Sequence, residues 1–252
     1  MTDSTNSLRG KPMNLSIVIP AYLAGRRILK TLKRISHYCR KETLTYEILV
    51  IDDASPDDTY EKAFAFAQRD PSLQVLQNDD NYGKGYSVRK GMLKARGEYL
   101  LFTDADMPVS IQHIQTFIQD LQNGFDLVIA SKWLPGSKSR MRQGFLRRLA
   151  GRIFNLLGRL ILNLPYRDTQ CGFKFFRKEA AAKIFEKQKL QGFSFDTEIL
   201  FLAQKWGLRV REAPVKWRDN ERESTVQVMK HALGMFLDLF RIRLYDVLGY
   251  YE

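Results

Sequence analysis

Short apolar runs alternate with amphipathic stretches through the first half of the chain. Leu15–Pro20, Tyr46–Ile51, Ser72–Gln77, Glu98–Thr103 and Asp126–Ala130 have the length and the aliphatic or aromatic content of strands. Between them apolar residues return at helical spacing. Ile28, Leu29, Leu32 and Ile35 mark a helix over 24–40, set among basic residues. Ser55-Pro56-Asp57-Asp58 carries cap and first-turn chemistry for a helix running to Arg69. Further helices follow the Asn78–Gly85 loop as far as Arg96 and span Ser110–Gln122. This β-α-β-α-β-α-β-α-β order predicts an α/β domain whose parallel sheet is covered on both faces.

The second half changes character. From Leu127 to Arg167 the chain holds nine Lys or Arg residues and no acid. Within that stretch Gly144–Leu164 reads as a basic amphipathic helix or helix pair. Its apolar positions are Leu146, Leu149, Ile153, Leu156, Leu157, Leu160 and Ile161. Asp168–Arg177 predicts a strand, a short helix starts at Lys178, and Phe195–Trp206 predicts another helix. Leu208–Glu212 and Val215–Arg218 predict two strands hinged at Pro214, before a charged loop ending at Ser224. Val226–Leu248 predicts a last helix with Met229, Leu233, Phe236, Phe240, Leu244 and Val247 on one face, which suits core packing or lipid equally. The expected organisation is a flexible tail over 1–14, one domain over 15–224 with an interfacial segment at 144–164, and a C-terminal helix over 225–252.

Candidate chemistry gathers at strand ends. In a parallel sheet, ligands bind beyond the carboxyl ends of the strands. Pro20, Asp52-Asp53, the Asn78–Gly85 loop and Asp104 with Asp106 all fall there. If the strand before them continued, Asp104 and Asp106 would point the same way and repel unless a cation lay between them. A hard divalent ion carrying phosphate oxygens satisfies both; an acidic turn is the plain alternative. Asp52-Asp53 suits a base N–H or a ribose hydroxyl, or equally the start of the next helix. Asn81-Tyr-Gly-Lys-Gly85 places glycine backbone and Lys84 at a helix N-terminus, where an anion is favoured. Its spacing is neither that of a P-loop nor that of a Rossmann fingerprint.

Composition narrows the partners. A chain of 252 residues with 44% hydrophobic content builds a core, which excludes wholesale disorder. The net charge of +12 implies an anionic partner: nucleic acid, a membrane surface or phosphorylated substrates. No nucleic-acid motif or stacking pattern accompanies the charge, so nucleic acid is not expected. The aliphatic stripe of 144–164 requires core or lipid over it, and its arginines favour a monotopic membrane contact. No apolar run has the length of a simple spanning helix, and residues 1–14 lack the apolar segment of a signal peptide. Cys39 and Cys171 lie far apart and three histidines are scattered, so neither a disulfide framework nor a His-built zinc site is expected.

At this point the motifs match a known pattern. Ile17-Val-Ile-Pro-Ala-Tyr22, Ile51-Asp-Asp53, Asn81-x-Gly-Lys-Gly85 and Asp104-Ala-Asp106, in this order and spacing, resemble family 2 glycosyltransferases of the GT-A fold. Asp168-Thr-Gln-Cys-Gly-Phe-Lys174, Phe195-Asp196 and Pro214-Val-x-Trp217 resemble the polyprenyl-phosphate branch, the dolichyl-phosphate glucose and mannose synthases and their bacterial relatives. The resemblance implies a GT-A, Rossmann-like and mostly parallel sheet with helices on both faces, followed by C-terminal amphipathic helices. Pro20, Ala21, Tyr22, Asp52 and Asp53 would line the base and ribose of a nucleotide-diphosphate sugar, UDP-glucose or GDP-mannose. Lys84 would lie near the nucleotide. Asp104-Ala105-Asp106 would meet the donor diphosphate, with Asp104 and Asp106 holding Mg²⁺ or Mn²⁺ and Asp106 the more direct ligand. Three departures stand out: Leu23-Ala24 where the family usually has Asn-Glu, Ser131-Lys132 where it often has Ser-Arg, and Trp217-Arg218-Asp219 where it has Trp-x-Glu.

The expected activity is metal-dependent, inverting transfer of a hexose to a polyprenyl phosphate, by a protein bound peripherally to the cytosolic face of a membrane. Arg142, Lys174, Arg218 and Arg222 are candidates for the fixed charges that let two phosphates approach. Asp196 is a candidate base should the acceptor be a hydroxyl. Two alternatives stay open: a soluble family 2 transferase acting on a saccharide or protein hydroxyl, and a non-catalytic nucleotide-sugar or membrane-binding adaptor.

Overall fold

The computed structural model describes residues 14–140, 145–218 and 228–252, so the expected tail, apart from Asn14, lies outside the described residues. The first half follows the predicted alternation. Strand β1 (Leu15–Ala21) leads to helix α1 (Ile28–Lys41), β2 (Tyr46–Asp52) to α2 (Thr59–Ala67), and β3 (Leu73–Gln77) to α3 (Lys84–Lys94). Strand β4 (Tyr99–Thr103) and helix α4 (His113–Gln122) precede β5 (Leu127–Ser131). The second half contributes β6 (Lys138–Arg140), α5 (Phe145–Leu162), β7 (Phe173–Arg177), α6 (Lys178–Lys187) and α7 (Phe195–Lys205). Strands β8 (Val210–Pro214) and β9 (Lys216–Arg218) and helix α8 (Val228–Val247) complete it.

Seven strands form one sheet in the order β3-β2-β1-β4-β7-β5-β8. All its pairs are parallel except those of β7, which runs antiparallel to both β4 and β5. Strand alternation sends Ile17, Ile19, Ile48, Val50 and Leu101 to one face, against α1, α2 and α4. It sends Val18, Leu49, Ile51, Leu100 and Phe102 to the other, against α3 and α5–α8. Both faces are therefore dry, as a parallel sheet requires.

The structure shortens one predicted element, decides between two readings of another and adds a strand. The strand expected over Asp168–Arg177 is confined to β7, and residues 168–172 form a loop. Of the helix or helix pair expected over Gly144–Leu164, the structure has one helix, over 145–162. The short strand β6, which no apolar pattern signals, pairs in parallel with β9 beside the main sheet. The last helix divides: Leu239 and Ile242 are buried, while Leu233, Phe240, Leu244 and Val247 of the predicted face are exposed.

Candidate active site

The strand order reverses between β1 and β4, which is where an open α/β sheet leaves a crevice at its carboxyl edge. Strand β1 delivers Pro20, Ala21 and Tyr22 to that edge, and the Tyr22 ring is 38% exposed. Strand β2 delivers Asp52 and Asp53, both buried, and their partners separate them. Asp52 accepts from the Ser55 amide at 3.2 Å and Gln77 Nε2 at 3.1 Å through Oδ2, while its buried Oδ1 has no partner. A buried carboxylate oxygen left open is an acceptor for a ligand's N–H or O–H. Asp53, expected beside it at the nucleotide, is consumed by the chain itself. It accepts from Asn78 Nδ2 at 2.6 Å and from the amides of Tyr82 and Gly83 at 3.2 and 2.8 Å, fixing the loop that opens α3.

Strand β4 does not continue through the two carboxylates. The Asp104 amide bonds to Gly172 O at 3.2 Å and the Met107 amide closes a turn on Asp104 O at 3.0 Å. Thr31 Oγ1 pins the turn through Ala105 O at 2.7 Å, so Ala105 is buried backbone support. Burial, then the charge of Asp104, pushes the Asp106 carboxyl up to about 6, with Arg27 and Lys84 pulling the other way. Two crowded acids, one reluctant to ionise, fit a divalent cation. Among the described residues no three His, Cys, Asp or Glu side chains form a metal cage. Asp104 and Asp106 would thus supply two ligands and leave the remainder to phosphate oxygens and water, a donor set that suits Mg²⁺ or Mn²⁺.

Backbone strain marks the same edge. Leu23, Ala54 and Met107 have φ of 51°, 53° and 43°, and each follows a carboxyl-end residue of β1, β2 or β4. Non-glycine residues hold such angles only where the surroundings over-determine them, commonly at functional sites.

Behind the turn lies a chain of ions. Lys84 Nζ is 2.7 Å from Asp104 Oδ1 and 3.5 Å from Asp196 Oδ2. Burial would lower the Lys84 ammonium, but Asp104 and then Asp196 outweigh it and hold the group well above the usual lysine value. Lys174, expected to face phosphates, is fully buried instead. It alternates with Phe173 and Phe175 along β7 and so points to the opposite face, beneath α7. There its ammonium donates to Asp196 Oδ1, to Cys171 O at 2.9 Å and to Thr169 O at 3.2 Å. Asp196, the candidate base, is thereby held between two ammonium groups and 1% exposed. Arg218 is exposed at the end of β9, and its amide bonds Pro108 O at 2.8 Å, two residues from Asp106. Arg142 and Arg222 lie outside the described residues. Pattern reasoning missed Arg27, which precedes α1 and reaches Asp106 electrostatically.

A second basic region adjoins the first. Lys132 Nζ lies 3.7 Å from Asp168, and 5.7 and 5.4 Å from the ring centres of Trp133 and Trp217. Burial would lower its ammonium; Asp168, with lesser contributions from Cys171 and Asp104, raises it. Arg152 approaches the same Trp133 ring at 5.1 Å. Trp133, Arg152, Asn155, Arg159 and Arg167 line a hollow of about 150 Å³. It shares Leu156 and Arg159 with a groove of about 550 Å³ that continues past Leu160, Leu164 and Pro165. Both hollows lie along α5 rather than over the Asp104 turn.

Residues 16–185 match the family described as glycosyl transferase family 2. The chain belongs to that family. The glycosyltransferase is 31% identical over 251 residues to the dolichyl-phosphate beta-glucosyltransferase of Dictyostelium discoideum, covering 94% of this chain and 76% of that one. It is 31% identical over 248 residues to the enzyme of the same name from Homo sapiens, covering 93% and 76%. Among solved structures it is similar to mannosyl-3-phosphoglycerate synthase from Rubrobacter xylanophilus, with a TM-score of 0.70 at 18% identity over 93% of this chain and 74% of that one. Glucosyl-3-phosphoglycerate synthase from Mycobacterium tuberculosis, in complex with Mn²⁺ and UDP-Glc, gives 0.65 at 18% identity over 94% and 79%. The GT-A fold expected from the motifs is thus the fold of this glycosyltransferase.

Proposed function

We propose that this glycosyltransferase moves glucose from UDP-glucose to a polyprenyl phosphate of the dolichyl type, with inversion, while bound to the cytosolic face of a membrane. The observation that carries the acceptor is the pair of hollows along α5 that share Leu156 and Arg159. Three arginines and Trp133 form a mouth suited to a phosphate monoester, and the Leu156, Leu160, Leu164 and Pro165 side of the second hollow, which Asn163 and Gln204 also line, suits an isoprenoid. Lys132 joins this mouth to the Asp104 side of the site. The donor class is supported by the open Asp52 oxygen, by the carboxylate pair, and by relatives named for glucosyl transfer to dolichyl phosphate.

Exposed leucines support the membrane. Leu149, Ile153, Leu156 and Leu160 make a stripe along α5, and Leu233, Leu237, Phe240, Leu244 and Val247 make another along α8. The two helices pack side by side. Among the described residues no helix is long and apolar enough to cross a membrane. Two neighbouring amphipathic helices with arginines between the leucines are suited to lie in an anionic interface.

A phosphate monoester has a second pKa of about 6 and is a nucleophile at neutral pH without a base. Its oxygen forms a bond to the anomeric carbon as the bond from that carbon to the UDP oxygen breaks, and no proton need move. Asp104 and Asp106 would hold Mg²⁺ or Mn²⁺, which neutralises the charge developing on the leaving diphosphate. Lys84, held by Asp104 and Asp196, brings a second fixed positive charge to the same side. The arginine mouth offsets repulsion as the two phosphates meet.

Incubating the protein with UDP-glucose or GDP-mannose, a polyprenyl phosphate, and Mn²⁺ or a chelator tests this reading. Glucosyl lipid formed from UDP-glucose only with the metal is expected. Transfer to a saccharide or protein hydroxyl but not to the lipid phosphate would overturn it.

A further inference from the structure

Helix α7 opens with two buried acids. Asp196 handles the lysines, but Glu198, fully buried, faces a different set of partners. Its Oε1 accepts from the Lys189 amide at 2.8 Å and from Tyr251 Oη at 2.7 Å, and its Oε2 accepts from the Leu190 amide at 2.9 Å. The loop these bonds hold, 188–192, is the floor on which the start of α3 rests. Gln188 Nε2 donates to Gly85 O at 3.0 Å and the Tyr86 amide donates to Gln191 O at 3.1 Å. The contact is too close for any side chain. A Cβ on Gly83, whose φ is +100°, would lie 2.7 Å from Gln191 O, and one on Gly85 would lie 2.6 Å from Leu190 O. Lys84 stands between these two glycines with its ammonium on Asp104.

We propose that Glu198 is a positioning residue of the donor site and that Tyr251 is its lock. Glu198 fixes the 188–192 loop, the loop fixes the backbone on both sides of Lys84, and Lys84 is thereby aimed at Asp104. Tyr251 lies four residues beyond α8, is fully buried against α7, and ties the helix with the exposed apolar stripe to the same carboxylate. Lys205 to Asp246, at 2.5 Å, adds a second tie between α7 and α8. Lys84 placement and α8 seating are thus two ends of one hydrogen-bonded path. The proposal rests on the reading that Lys84 and Asp104 handle a nucleoside diphosphate with its cation.

Calorimetric titration of UDP with saturating Mn²⁺ into the full chain tests it. Tyr251→Phe removes one hydroxyl and keeps the ring; it should weaken UDP about fivefold, the scale of a single buried hydrogen bond. Glu198→Gln, which presents an amide N–H₂ to backbone donors, should weaken UDP further. Ile242→Val, a core change in α8 of similar stability cost, should leave UDP binding at the wild-type value. If wild-type protein binds no UDP, the donor-site reading fails and the lock falls with it. If wild type binds and Tyr251→Phe binds equally well, or Ile242→Val weakens UDP as much as Tyr251→Phe, the lock alone is overturned.

Discussion

Two regions of this glycosyltransferase differ in what they leave unsatisfied. At the carboxyl edge of β1, β2 and β4, Asp53 and Asp104 are bonded within the chain, while Asp52 Oδ1 and Thr103 Oγ1 are buried without a partner. Asp106, beside them, carries a carboxyl pushed up by burial and by Asp104. Across α5 and α8 the reverse holds. Leu160 and Leu233 are each 71% exposed and Val247 82%, on a face flanked by arginines. The first region holds a buried acceptor open to a ligand's donor and two crowded carboxylates; the second lacks apolar cover. In the proposed function each region takes its own ligand, a nucleotide diphosphate with a metal on one side and lipid on the other.

The largest effect should come from beneath the first region. Lys174→Met leaves Asp196 buried with half its compensation, since Lys174 and Asp196 are 0% and 2% exposed. Unfolding free energy measured in urea should fall by about 3–5 kcal/mol. A loss under 1 kcal/mol would show that Asp196 is served by Lys84 alone. Asp106→Asn removes one carboxylate from the edge. Turnover should drop by about 10²–10³-fold, with the circular dichroism spectrum and liposome binding unchanged; a parallel loss of liposome binding would show that the membrane face depends on the Asp106 carboxylate itself.

Smaller effects belong to the second region. Arg152→Glu and Arg159→Glu should each weaken co-sedimentation with anionic liposomes by about 1 kcal/mol per charge removed, an effect that fades as salt rises. UDP binding should not follow. The smallest change tests strain at the edge. Leu23 sits at φ 51° and is 37% exposed. Leu23→Asn installs a residue that tolerates this angle and should raise stability by up to about 1 kcal/mol; a lowered melting temperature would mean the Leu23 side chain contributes more than its backbone costs.

Much of this was legible in the chain, for physical reasons that vary by element. β1 to β5 and α1 to α4 show the periods their packing demands, and the edge residues could be read from strand ends. The direction of β7 was not legible, because a continuous apolar run looks alike either way round. β6, Lys-Ser-Arg, has no apolar signal and exists through its pairing with β9. Asp52 and Asp53 look equivalent in sequence and differ only through Asn78, Tyr82 and Gly83. The fate of Lys174 carried a faint signal, since it interrupts the phenylalanines of a buried strand. Glu198 with Tyr251 carried none, because a bond spanning 53 residues is purely tertiary.

That the two regions take separate ligands is tested most directly by one titration that leaves the Glu198–Tyr251 path intact. Leu156→Ser, Leu160→Ser and Leu244→Ser combined strip exposed leucines from both helices without touching the sheet edge. UDP titrated into this variant with Mn²⁺ should give the wild-type dissociation constant while liposome binding and lipid glucosylation are lost. A dissociation constant raised in step with the lost liposome binding would contradict the account.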